Sequence, residues 1–142
     1  MPLLSIWKSN PAAFNDLTVE QVAAMAGDGY LKDASLCSQE LRQYLSEVDS
    51  ARLHSYVEHC LSSAFVKSGM VLQDLVNELG RRLDYQVTNG RYQGTAKEPG
   101  QDGIWVSPEK HTIITEVKTT DAYRITLDTI AGYRTQLYRS RR

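Results

Sequence analysis

The chain has 142 residues, 42% of them hydrophobic and 23% charged, which suits one globular domain and excludes the disordered and fibrous classes. No run approaches the ~18 apolar residues of a membrane span, and Met1 to Lys8 lack a leader's charged start, so a cytoplasmic protein with no membrane partner is expected. The net charge of -1 conceals a gradient: residues 1–66 carry net -4, residues 67–117 net -1 and residues 118–142 net +4.

In chain order, Thr18 with Gln21 makes a capping box ahead of Val19, Val22, Ala23 and Met25, and Gly27-Asp28-Gly29 ends that helix. Ser35 caps a second helix carrying Leu36, Leu41, Tyr44, Leu45 and Val48. Asp49 or Ser50 opens a third, with Leu53, Tyr56, Val57, Cys60 and Leu61. His54 and His59 on that helix miss the i, i+4 spacing of a two-histidine metal site. Cys37 and Cys60 lack zinc spacing and are too few for a disulfide framework, so both are expected to be buried free thiols.

A fourth helix starts just after Gly69, and its stripe of Leu72, Leu75, Val76, Leu79 and Leu83 is expected to pack on a sheet. Asp74 and Glu78 are spaced for surface pairing with Arg81 and Arg82. After Asp84 the period becomes two: Tyr85 and Val87 begin a first strand, with a turn at Asn89-Gly90. A loop from Gly94 to Gly100 leads to a second strand, Asp102 to Val106, and a third, Thr112 to Lys118. A last helix carries Leu127, Ile130, Ala131, Arg134, Leu137 and Tyr138. The fold class is therefore α+β with a three-layer-like arrangement: a helical region over 1–66, then helix, antiparallel meander and helix over 67–142.

Alternate strand residues share a face, so Glu116 and Lys118 project together with about 7 Å between their α-carbons. A connection centred near Glu109 puts Asp102 opposite Glu116. Facing carboxylates repel by about what an ordinary cross-strand pair gains, roughly 0.2–1 kcal/mol, so the arrangement asks for a cation. Hard oxygen ligands suit Mg²⁺ or Mn²⁺.

Helix, strand, Asp102, hairpin, Glu116-Val117-Lys118 and trailing helix, over residues 69 to 142, together resemble the restriction-endonuclease-like PD-(D/E)xK nuclease superfamily. The resemblance implies that Asp102 and Glu116 hold the metal with the carbonyl of Val117, and that Lys118 positions the attacking water. It also implies an accessory residue on the first core helix, for which Gln73, Asp74 and Glu78 compete and Glu78 is the choice. The substrate class would be DNA, cut by a Mg²⁺-dependent endonuclease in restriction, phage defence or repair. Arg124, Arg134 and Arg139 of the basic tail would contact the DNA. The superfamily's final core strand is missing, so the outer edge of the third strand is expected to be covered in a homodimer or by a longer parent chain. The alternative is a catalytically inactive nucleic-acid-binding or protein-interaction module on the same scaffold.

Overall fold

The structure, a computed structural model, describes residues 2–93, 100–120 and 127–140. Side-chain caps set three of its helix starts. Thr18 Oγ1 accepts from Gln21 N–H while Gln21 Oε1 accepts from Thr18 N–H, which opens α2 (Val19–Met25). The Ser35 hydroxyl accepts from Ser38 N–H to open α3 (Leu36–Glu47), and Asp49 accepts from Arg52 N–H to open α4 (Ser50–Ser62). Each such cap stabilises its helix by about 1 kcal/mol. Ahead of them lie α1 (Leu3–Ser9) and a 3-10 turn over Pro11–Phe14, neither of which has a capping side chain. Packing holds this segment instead: Leu3 and Phe14 are fully buried, and Trp7 and Phe14 both lie against the Tyr44 ring, at 5.7 and 5.6 Å.

One apolar core runs from Leu3 to Leu75, so it crosses residue 66 and includes the first half of α5 (Ser68–Arg82). Cys37 and Cys60 are buried free thiols within it. Here the expected role of the α5 stripe is corrected. Val71, Leu72 and Leu75 point into the helical core, whereas Leu79 and Leu83 stay exposed. The face of α5 turned to the sheet is polar, made by Gln73, Asn77 and Gly80. α3 and α4 offer the leucines more apolar surface than four-residue strands can, and hydrophobic burial scales with area.

The surface pairs expected on α5 are corrected too. Asp74 is only 2% exposed, and its carboxylate accepts from Arg42 Nε at 3.0 Å and from the Tyr92 hydroxyl. Glu78 does pair with Arg82, at 3.1 Å, but inside the protein. Arg82 also donates to the carbonyls of Leu45 and Val48, tying the end of α5 to the end of α3.

The sheet has the order β1 (Gln86–Asn89), β2 (Gly103–Val106), β3 (Thr112–Thr115), antiparallel throughout. Gly103 faces Thr115 and Val106 faces Thr112, the register that a connection centred near Glu109 requires. Trp105 lies on the α5 side, donating its indole N–H to Asn77 Oδ1 at 2.9 Å. On the other face Thr112 and Ile114 border α6 (Leu127–Ser140), with Leu137 and Tyr138. Among the described residues no helix is long and apolar enough to cross a membrane.

The fit of Trp105 against α5 sets two magnitudes in competition at Gly80. Alanine gains about 1 kcal/mol over glycine inside a helix. A Cβ there would lie 2.7 Å from the Trp105 ring, however, and overpacking costs typically about 1–3 kcal/mol. Gly80→Ala is therefore expected to lower the denaturant midpoint slightly. A clear rise would show that the indole does not seat on α5.

Candidate active site

Asp102 sits where β2 begins, and its main chain is held on every side. Its N–H donates to the Thr115 carbonyl at 3.0 Å. Its carbonyl accepts from Gly90 N–H at 2.9 Å, from the Asn77 amide at 3.0 Å and from the Gln73 amide at 3.2 Å. Only glycine allows the approach at position 90, because a Cβ would fall 2.0 Å from the Gln101 carbonyl oxygen.

The Asp102 carboxylate also finishes the hairpin. Continued by two pairs, the β2–β3 register would bring Val117 N–H opposite Gln101. Instead Asp102 Oδ2 takes that N–H, at 2.6 Å. A side-chain acceptor thus replaces a main-chain one, and β3 ends at Thr115 rather than running on to Lys118 as expected from the sequence. Glu116, Val117 and Lys118 follow directly. The Lys118 ammonium lies 3.0 Å from Glu116 Oε1, while Glu116 Oε2 is buried with no hydrogen-bond partner among the described residues.

The two carboxylates therefore stand in different environments. Asp102 is 7% exposed, and burial pushes its pKa up to about 6; the Val117 N–H opposes the rise, Glu116 adds to it, and Lys118 opposes it. An open cleft of about 290 Å³ reaches this point, bordered by Val66, Met70, Gln73, Tyr92, Asp102 and Lys118.

Asp102, Val117, Lys118 and Gln73 border one cleft, with Glu116 bound to Lys118 beside it. Glu78 is not brought there: it is engaged with Arg82, on a different side of α5 from Gln73 and Asn77. Arg134 lies over the Tyr138 ring at 5.2 Å and borders a separate hollow with Thr112 and Ile114, and Arg139 is exposed in the last turn of α6. Arg124 lies outside the described residues. The residue that sequence reasoning missed is Asn77, fully buried and bonded to both Asp102 and Trp105. Its signal was a weak helix former in mid-helix, four residues after another amide.

The residues present fit a hard cation. Glu116 Oε2 is a buried oxygen that lacks a donor among the described residues, and Asp102 is a carboxylate whose charge burial disfavours. Among the described residues no group of three or more His, Cys, Asp or Glu side chains converges, so a cation here would complete its shell with main-chain and water oxygens.

Metal-free stability should report on this charge. The pKa of Asp102 is raised on folding, so between about pH 4 and pH 6 the folded state binds more protons than the unfolded state. This group's contribution therefore falls as pH rises through that window. At neutral pH the buried charge costs about 3 kcal/mol, at about 1.4 kcal/mol per pH unit. Asp102→Asn keeps an acceptor for Val117 N–H and is expected to raise the metal-free melting temperature at pH 7 by several degrees. The gain should vanish below about pH 4. A drop at every pH would mark Asp102 as a structural acceptor only.

Compared with family models, curated proteins and solved structures, the chain has no significant match.

Proposed function

We propose that the chain is a metal-dependent nuclease on a PD-(D/E)xK-like core, hydrolysing phosphodiester bonds in DNA. The observation that carries this reading is the set at the hairpin end. It comprises a buried carboxylate with a raised pKa, a second carboxylate with an unpartnered oxygen, and an ammonium 3.0 Å from that second carboxylate. Asp102 and Glu116 would hold Mg²⁺ or Mn²⁺, with the Val117 carbonyl as a further ligand. The bound ion would polarise the phosphate and lower the pKa of a bound water.

The chain's own residues supply the rest. Lys118 places a positive charge beside the reacting phosphate and offsets the negative charge that develops in the transition state. Gln73 and Asn77 hold the Asp102 main chain, so its carboxylate needs no reorganisation when the ion arrives. Arg134 and Arg139 of α6 would contact the DNA backbone, with Arg124 from the preceding segment. A second reading, a nucleic-acid-binding module without turnover, draws on the Glu116–Lys118 ion pair, which already neutralises one of the two carboxylates.

The test is cleavage of plasmid and oligonucleotide DNA with Mg²⁺, with Mn²⁺ and with chelator. Wild-type protein is expected to cut only with metal. Asp102→Asn, Glu116→Gln and Lys118→Met should each lose roughly 100-fold or more in rate while keeping their circular-dichroism spectra. DNA binding without cleavage under any metal would favour the second reading. Equal cleavage by wild type and all three variants would mean a contaminating nuclease and would end the first.

A further inference from the structure

The cleft beside Asp102 differs from a duplex-binding surface in size, lining and charge. At about 290 Å³ it lies at the bottom of the roughly 300–1,000 Å³ range of ligand-sized sites, enough for one nucleotide and far too small for a double helix. One wall is apolar, formed by Val66, Met70 and Tyr92; the other carries Gln73, Asp102 and Lys118. Val66 is 96% exposed, an apolar side chain standing in solvent at the rim.

Tyr92 is fixed before any ligand arrives. Its hydroxyl donates to the buried Asp74, its N–H donates to Asp33 at 2.8 Å, and the Arg42 guanidinium lies 5.2 Å from its ring centroid. A held aromatic ring beside apolar side chains is a stacking surface for a base.

The charge around the cleft points the same way. Tight duplex binding commonly draws on about 6–10 phosphate contacts from lysine and arginine. Beside Tyr92, Arg42 is bonded to Asp74 and Arg91 lies 3.9 Å from Asp33. The region that contributes Val66 carries net -4 over residues 1–66.

We propose that the cleft takes one unpaired nucleotide of single-stranded DNA, its base against Val66, Met70 and Tyr92 and its phosphate toward Lys118. This rests on the nuclease reading above and narrows its substrate to single strands and frayed or overhanging ends.

The experiment measures fluorescence anisotropy of a labelled single-stranded DNA oligonucleotide and of its duplex with the full chain, without divalent metal. Cleavage of both with Mn²⁺ is followed in parallel. Single strands are expected to bind on the order of tenfold more tightly than duplex. Val66→Ser should weaken single-strand binding and Val66→Trp should strengthen it, each several-fold, with duplex binding unmoved; neither substitution disturbs the core. Tyr92→Phe keeps the ring and should retain the preference, whereas Tyr92→Leu should lose it. Equal or tighter duplex binding, no binding of either form, or two Val66 variants indistinguishable from wild type would overturn the assignment. The two readings separate cleanly. Single strands that are bound with these variant effects but never cut would leave the cleft assignment standing without the nuclease. Preferential binding and cutting of duplex would do the reverse.

Discussion

The carbonyl oxygen of Asp102 is a point at which the helices and the sheet are joined. Three N–H donors converge on it, from Gly90 in the chain after β1 and from Gln73 and Asn77 on α5. A main-chain acceptor buried without donors would cost about 1–3 kcal/mol. The junction is a network: the Gln73 amide also reaches the Gly90 and Arg91 carbonyls, and the Asn77 oxygen accepts from Trp105. That requirement explains why the face of α5 turned to the sheet carries amides and a glycine, while its leucines serve the helical core.

The same constraint separates the local from the long-range in what the sequence allowed. The caps at Thr18, Ser35 and Asp49 and the pairing of Gly103 with Thr115 depend on residues within a few positions or across one short connection, and all were legible. Asp102 was expected near Glu116 and Lys118 for that reason, since a strand's period and a hairpin's centre are local quantities. By contrast Arg42 reaches Asp74 across 32 positions, and Arg82 reaches the Leu45 carbonyl across 37. Nothing in the spacing of Asp74 or Glu78 separates a buried clamp from a surface pair. α1 was hidden for a related cause: it has no cap, and rings contributed by distant segments hold it in place.

The two carboxylates at the hairpin end are not equivalent. Glu116 shares one oxygen with Lys118 and keeps the other unpartnered, whereas Asp102 gives one oxygen to the Val117 N–H and has its charge disfavoured by burial. Two like charges in one site are tolerable when one is neutralised by an ammonium and the other is readily protonated. The metal-free protein can thus hold this geometry without a cation. The same features leave a cation something to gain, because it would satisfy the Glu116 oxygen and favour the ionised form of Asp102.

α5 ties these requirements together because each of its faces serves a different neighbour. Leu72 and Leu75 anchor it in the helical core, Gln73 and Asn77 hold Asp102, and Asp74 holds the Tyr92 hydroxyl at the cleft wall. Residues adjacent in sequence thus set the depth of the helix in the core, the position of the carboxylate and the wall of the cleft. A rigid helix transmits its placement with little loss, so the apolar packing of Leu72 and Leu75 fixes the site geometry as well as the stability. The N-terminal helices act on the site through that packing: by burying one face of α5 they set the position of the amides on the other.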